Sequence, residues 1–109
     1  MRDIKFRSFN SVSNSFFYFN LNKGTEDFGF DYNAAMQYTG LKDKLNQNEV
    51  YEHDIIKHIE FGILKVEWDY QDTGWICLSK DYKKYKLVEV LFLGGIMVGN
   101  IHENKELLV

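Results

Sequence analysis

The densest group of residues that could carry chemistry in this chain lies between positions 49 and 60. Imidazole and carboxylate groups together are a usual ligand set for zinc or a non-haem metal. This segment contains His53, Asp54 and His58, with Glu49, Glu52 and Glu60 nearby. If residues 54–59 form a strand, Asp54 and His58 share one side while His53 falls in the preceding turn, so convergence needs a bend. No recognised ligand motif is met, so solvated turn residues are the favoured interpretation and no cofactor is expected.

Two acid and base pairs could be drawn from the same residue types, Asp54 with His58 and Glu103 with His102. Catalysis also requires a pocket that shifts pKa values and a reacting atom within reach, and the spacing indicates neither. An aspartate after a turn more often accepts hydrogen bonds from backbone amides where the chain reverses. We therefore expect no catalytic residues and a protein that is not an enzyme.

The remaining candidates for a nucleophile or a phosphate-binding loop also favour structural roles. Cys77 follows Trp75 and Ile76 with no basic cluster beside it, which favours a buried thiol over a nucleophile. The glycines at 94, 95 and 99 do not precede a Lys-Ser or Lys-Thr pair and do not open an obvious helix. A phosphate-binding loop is therefore not expected.

A short basic and aromatic segment is the candidate nucleic-acid-binding surface. In single-stranded nucleic acid binders, lysines neutralise phosphates and aromatic rings stack on bases. The segment contains Lys80, Tyr82, Lys83, Lys84, Tyr85 and Lys86. The alternative is a charged, solvated loop, which is favoured because the net charge is −3 and no RNP-like motif is present.

Four consecutive aromatic residues form the candidate interaction surface: Phe16, Phe17, Tyr18 and Phe19. Side chains alternate between the two faces of a strand, so two of these rings must point away from the other two. The outward rings either cover a second layer of the same domain or bury against another subunit. The second alternative predicts a homo-oligomer.

The size and composition of the chain define the fold that can hold these residues. The 109 residues suit one compact domain, residues 1–109, rather than two independent cores. Hydrophobic residues make up 45% of the chain and aromatic residues 17%, against 27% charged, which excludes intrinsic disorder as the default. The net charge of −3 excludes a global attraction to nucleic acid or an anionic membrane.

Cysteine content and hydropathy indicate a compartment. A single cysteine cannot form an internal disulfide, which fits a reducing environment. The longest apolar run, residues 90–99, is about half a bilayer span, and the opening MRDIKFRSFNS lacks the apolar core of a secretory signal. We expect a cytoplasmic protein that does not cross a membrane.

Turn residues about every ten positions, between segments rich in Phe, Tyr, Ile and Val, predict a mainly β fold. Residues 3–9 and 16–21 are predicted to form an N-terminal hairpin, followed by a turn at Asn22–Gly24 and a variable segment to residue 35. Further strands at 54–59, 62–68 and 75–78 indicate an SH3-like, barrel-type section over residues 50–101. Residues 103–108 are predicted to form a short C-terminal helical turn.

Residues 87–92 allow two interpretations. Gly94-Gly95 suits a two-residue hairpin between strands at 87–93 and 96–101. Alternatively, residues 82–92 form a helix, since Tyr85, Val88 and Phe92 recur at helical spacing, although the β-branched Val88 and Val90 argue mildly against it. The hairpin is the expectation, and the sequence does not decide between strand and helix.

Four blocks occur in order along the chain: RDIKFRSF, MQYTGLKDK, VYEHDIIK and VGNIHENKELL. Together they resemble the YopX family of small phage proteins, with residues 10–35 and 68–95 outside the blocks. The resemblance implies a phage or prophage origin and a mainly β fold, and it implies no activity because the family is best known as one of uncharacterised function. His53 replaces a glycine of the pattern, so either the turn does not need positive φ or His53 accepts modest strain. Lys105 replaces a proline.

These observations predict a phage-encoded, non-enzymatic binding or assembly protein that self-associates through β edges or aromatic faces. The alternative is an accessory nucleic-acid-binding protein that uses the Lys80 to Lys86 segment. A host or phage protein is a further candidate partner.

Overall fold

A computed structural model describes residues 4–20 and 35–108. In chain order the elements are β1 (Lys5–Asn10), β2 (Ser15–Asn20), β3 (Ala35–Lys42), β4 (Glu49–Tyr51), β5 (Asp54–His58), β6 (Gly62–Asp69), β7 (Gly74–Ser79), β8 (Lys84–Lys86), α1 (Leu87–Phe92), β9 (Ile96–Asn100) and a 3-10 helix (Lys105–Leu108). One sheet has the order β2-β1-β3-β4 and the other β8-β7-β6-β5-β9. The predicted mainly β fold with a barrel-type section is confirmed, the second sheet forming a half-barrel.

The N-terminal hairpin is formed as the sequence predicts. Strands β1 and β2 pair in antiparallel register from Lys5 opposite Asn20 to Asn10 opposite Ser15. The Asn10 side chain accepts hydrogen bonds from the amides of Val12 and Ser13, which holds the turn. Residue 3, residue 21, the expected turn at Asn22–Gly24 and the variable segment up to residue 34 lie outside the described residues.

The second sheet wraps around the main hydrophobic core. Strands β5, β6 and β7 alternate apolar side chains toward it, and α1 covers it. The core consists of Val50, Ile56, Leu64, Val66, Cys77, Leu87, Val90 and Leu91. In the part of the chain that the structure describes, no helix has the length and apolar character needed to cross a bilayer.

The expected hairpin at Gly94-Gly95 is wrong, because residues 87–92 form helix α1. Its buried residues, Leu87, Val90 and Leu91, recur at helical spacing, and their burial outweighs the β propensity of the valines. Gly94, with φ of 101°, ends the helix, and the Gly95 amide donates to the Val90 carbonyl at 2.8 Å. A Cβ at Gly95 would lie 2.8 Å from Val90 Cγ1, so this close approach requires glycine.

A buried aspartate organises the loop between β3 and β4. Asp43 is fully buried, and its carboxylate accepts hydrogen bonds from the amides of Asn46 at 2.9 Å, Asn48 at 3.3 Å and Met97 at 3.0 Å. Burial alone would raise the pKa of this carboxyl, but the hydrogen bonds from Met97, Asn46 and Asn48 hold its pKa below the ordinary value. Because Met97 belongs to β9, Asp43 also ties this loop to the half-barrel.

The C-terminal helical turn is present, as predicted, at Lys105–Leu108. Before it, the Asn100 side chain accepts hydrogen bonds from the amides of His102 and Glu103. The Asn104 side chain accepts a hydrogen bond from the Asn100 amide at 3.2 Å, and the Asn104 amide donates to the Asn100 carbonyl at 2.9 Å. Reciprocal asparagine contacts therefore turn the chain after β9.

Candidate functional site

The tight turn between β4 and β5 carries the chain from the first sheet to the second and positions most of the polar candidates. The Glu52 amide donates to the Gln37 carbonyl at 2.9 Å, and the His53 amide donates to the Val66 carbonyl at 2.8 Å. His53 has φ of 68°. The turn therefore needs a positive φ, and His53 accepts the strain that a glycine would avoid.

Asp54 forms a buried ion pair with Arg7 of β1. Arg7 Nη2 lies 2.8 Å from Asp54 Oδ1 and donates to the Glu52 carbonyl at 3.1 Å, while Asp54 Oδ2 accepts the Tyr51 amide at 2.7 Å. The guanidinium also packs on the rings of Phe16 and Tyr51, at 4.5 and 4.9 Å from their centroids. Burial raises the pKa of Asp54, and the charge of Arg7 and the Tyr51 amide act in the opposite direction. Asp54 thus joins the two sheets.

His58 lies at the other end of β5, buried against the end of α1. Its Nδ1 accepts the amides of Glu60 and Phe61, at 3.1 and 3.2 Å, which leaves Nε2 to donate to the Leu93 carbonyl at 3.1 Å. The imidazole also stacks on the Phe61 ring, with centroids 4.3 Å apart. The structure therefore separates His58 from His53, and the three metal candidates proposed from the sequence do not converge.

His53 instead meets carboxylates of its own turn and of β6. Its Nε2 lies 4.0 Å from Glu52 Oε2 and 3.5 Å from Glu67 Oε2. The Lys65 ammonium lies 2.8 Å from Glu67 Oε1. Burial acts to raise the pKa of Glu67, but the contacts with His53 and Lys65 bring it below its ordinary value. Sequence reasoning missed Glu67 because it lies on a neighbouring strand. The side-chain ligand atoms of Glu52, His53 and Glu67 thus lie within 4.8 Å of one another, and the Lys65 ammonium pairs with Glu67.

The second acid and base pair is also divided between separate contacts. The His102 ring stacks on Phe9 with centroids 4.7 Å apart, and burial lowers the pKa of His102. The Glu103 carboxylate accepts a hydrogen bond from the Asn100 side chain at 2.9 Å. Each residue thus holds a neighbouring element in place.

An aromatic cleft lies where β3, the β4–β5 turn and the β6–β7 hairpin meet. Trp68 and Trp75 pair across the hairpin with ring centroids 5.1 Å apart and edge-to-face geometry. The cleft has a volume of about 550 Å³ and is lined by Gln37, Glu52, Trp68, Tyr70, Thr73, Gly74 and Trp75. This site was not predicted from the sequence, although the two tryptophans that flank one short turn, Trp68 and Trp75, could have indicated it. We call this site the tryptophan cleft.

The four consecutive aromatic residues alternate between the two faces of β2. Phe16 and Tyr18 lie on the face with Arg7, where Tyr18 packs edge-on against Tyr51 and remains 58% exposed. Phe17 and Phe19 occupy the opposite face, where Phe19 stacks on Phe6 with centroids 5.4 Å apart. Phe16 and Phe19 therefore contribute to packing within the domain.

The lysine and tyrosine segment is divided by strand β8. Tyr85 points inward and stacks on Phe61 at 4.3 Å, whereas Lys84 and Lys86 lie on the exposed side. The Lys83 ammonium lies 3.6 Å from Asp81 Oδ2, and the Lys84 ammonium lies 3.7 Å from Asp69 Oδ2. Before the strand, Lys80 and Tyr82 line a shallow cleft of about 210 Å³ that also contains Lys65. Of the two tyrosines, only Tyr82 faces the same cleft as a lysine of the segment.

Helix α1 presents an apolar outer face. Phe92 is 67% exposed, and Val88 and Leu93 beside it are also more than half exposed. Together with Glu89 they line a depression of about 290 Å³. The Lys44 ammonium lies 3.8 Å from the centre of the Phe92 ring. We call this surface the α1 face.

Comparison with known proteins extends the resemblance beyond the four sequence blocks. A family model described as YopX protein matches residues 4–109, which includes the segments that the blocks left uncovered. No curated protein matches the chain.

Proposed function

The chain belongs to the YopX family, and from that premise we propose that it is a non-enzymatic binding or assembly protein. We further propose a phage or prophage origin and action in the bacterial cytoplasm. The side chains best suited to acid and base chemistry, Asp54 and His58, are committed to contacts that hold the fold. Burial raises the pKa of the Cys77 thiol to about 12, which disfavours the nucleophilic thiolate.

The α1 face carries the proposal that the protein self-associates. Isolated exposed apolar residues are ordinary, but Val88, Phe92 and Leu93 are adjacent and surround one depression. The same face carries a cation, Lys44, and an anion, Glu89. In a two-fold arrangement each copy presents both charges to the other, so the face is complementary to itself. A second copy of the chain is therefore the proposed occupant.

Molar mass measured by light scattering, over a wide range of protein concentration, tests this proposal. We expect a dimer for the natural sequence and a monomer for V88E/F92E, whose substituted side chains are exposed. Val12→Glu is the control, because Val12 is 96% exposed on the β1–β2 turn and does not line the depression of the α1 face. Lys44→Glu should weaken the dimer and K44E/E89K should restore it. A natural protein that stays monomeric throughout would refute the proposal.

A second candidate function is the binding of single-stranded nucleic acid. The observation that favours it is the cleft in which Lys80 and Tyr82 lie beside Lys65. Phosphate contacts by lysines make such binding fall steeply with salt. Fluorescence anisotropy of a labelled oligonucleotide should show this salt dependence, with binding lost in K80E/K83E/K84E/K86E and kept in K57E. Equal binding by the quadruple variant would exclude this function.

A further inference from the structure

The tryptophan cleft combines aromatic walls with one acidic residue. Its walls are Trp68, Trp75 and Tyr70, and Tyr70 is 85% exposed, so the cleft is open to solvent. Glu52 is the acidic residue among those that line the cleft. Among the described residues, the one basic group found within ion-pair distance of Glu52 is the His53 imidazole, whose Nε2 lies 4.0 Å from Glu52 Oε2. A cation entering the cleft would therefore meet a carboxylate that has only a distant partner.

Aromatic faces and a carboxylate together select a cation. The face of an indole ring carries negative charge density, so it attracts ammonium and guanidinium groups. A guanidinium suits this cleft better than an ammonium, because its plane stacks on aromatic rings while its edge donates two parallel hydrogen bonds to one carboxylate. Gln37 and Thr73 supply further polar groups at the walls.

The same protein already holds one arginine between aromatic rings and a carboxylate. The guanidinium of Arg7 packs on Phe16 and Tyr51 and binds the carboxylate of Asp54. The tryptophan cleft offers an equivalent set of groups, two indoles and Glu52, but with an open entrance in place of an internal arginine.

We propose that the tryptophan cleft is a docking site for an arginine side chain presented by a partner polypeptide. The guanidinium stacks on the tryptophan walls and pairs with Glu52, and the open side along Tyr70 admits the flanking peptide backbone. This site is separate from the α1 face, so it does not depend on self-association.

The chain provides its own reporter for this site. It contains two tryptophans, and both line the cleft. Tryptophan emission therefore reports on this cleft and is insensitive to binding at distant surfaces that lack tryptophan. Three blocked tripeptides serve as probes, with arginine, lysine or citrulline at the centre. Citrulline matches the shape of arginine without its charge.

We expect the arginine tripeptide to change the tryptophan emission saturably, the lysine tripeptide to bind more weakly, and the citrulline tripeptide to bind about tenfold more weakly than arginine. Glu52→Gln should weaken arginine binding several-fold, whereas Glu60→Gln, an exposed acidic position on the β5–β6 turn, should not change it. Tyr70→Ala should also weaken binding, with Tyr82→Ala as the control because Tyr82 is similarly exposed but lies on another turn.

Several results would overturn the proposal. Equal affinity for the arginine and citrulline tripeptides would show that charge plays no role. Unchanged arginine binding in both Glu52→Gln and Tyr70→Ala would place the peptide elsewhere. An emission that does not respond to the arginine tripeptide would show that the cleft does not bind it. Tyr70→Ala keeps the test valid if Glu52→Gln disturbs the turn, because Tyr70 contributes little to the core.

Discussion

At the scale of single residues, His53 shows how one position of a family pattern can depart from glycine. Its φ of 68° lies in the left-handed region, which histidine tolerates better than branched residues do. Its neighbours fix this conformation, because the His53 amide and carbonyl are bound to Val66 and Ile101 respectively. These backbone hydrogen bonds therefore determine the positive φ of His53, and the contacts of its side chain contribute less.

Two substitutions at this position separate backbone strain from side-chain contacts. His53→Gly and His53→Val both remove the imidazole and its contact with Glu67, but valine adds a β-branched side chain at positive φ. We predict that the glycine variant is more stable than the valine variant by about 1–2 kcal/mol. The free energy of unfolding in urea measures the difference, and equal values would show that the turn relaxes away from positive φ.

At the scale of elements, the loop between β3 and β4 depends on one carboxylate. Asp43 accepts amide hydrogen bonds from its own loop and from β9. An aspartate can bring several backbone donors to one point because each carboxylate oxygen accepts more than one hydrogen bond. These hydrogen bonds to Asp43 therefore stabilise a loop that has no regular secondary structure.

This arrangement predicts a pH-dependent contribution to stability. Because the pKa of Asp43 in the folded protein lies below its ordinary value of 3.8, its stabilising effect is complete above that value and is lost as the pH falls through the folded-state pKa. We predict that Asp43→Asn costs about 1–3 kcal/mol at neutral pH and less in acid. Urea unfolding at several pH values measures this, with the exposed Asp72→Asn as control. A cost that does not vary with pH would contradict it.

Helix α1 is an element that its own sequence could not stabilise alone. It has six residues, whereas isolated helices shorter than about 12 residues are marginal in water. Three buried side chains anchor it to the half-barrel, and Gly94 and Gly95 let the chain turn directly into β9. Burial of these side chains against the core therefore stabilises the helix, and its outer face is exposed to solvent.

At the scale of the whole molecule, the two sheets are joined by the buried pair of Arg7 and Asp54. Removing one partner leaves an uncompensated buried charge, which typically costs about 3–5 kcal/mol. We predict a loss of this size for Asp54→Ala, measured by urea unfolding. Lys5→Met breaks the partly exposed pair with Glu49 and should cost less than about 1 kcal/mol. Similar costs for the two variants would mean that Arg7 finds another partner or water.

The core also predicts how the single cysteine reacts. Cys77 is fully buried, and burial raises the pKa of its thiol to about 12. We predict that a thiol reagent labels the native protein only through unfolding, so that the labelling rate rises in Asp54→Ala and reaches that of a free thiol in denaturant. Rapid labelling of the native protein would contradict the buried position.

The sequence by itself determined the features that local patterns encode. Alternating side chains and turn residues predicted the N-terminal hairpin, the strands β5, β6, β7 and β9 and the C-terminal turn, and four short blocks indicated the family. Strand β8 falls in a segment for which a charged, solvated loop was expected. These signals are readable because strand periodicity and turn chemistry depend on neighbouring residues. The sequence also placed His53 in a turn, but it left the sign of φ open, and the structure decided it.

The tertiary structure alone decided which distant residues meet. Arg7 and Asp54 are 47 positions apart, and the tryptophan cleft joins Gln37 and Glu52 to a hairpin further along the chain. Helix α1 formed where β propensity favoured a strand, because burial of Leu87, Val90 and Leu91 against the half-barrel decided the outcome. A local pattern shows which side of an element is apolar, but only the packed chain determines what covers it.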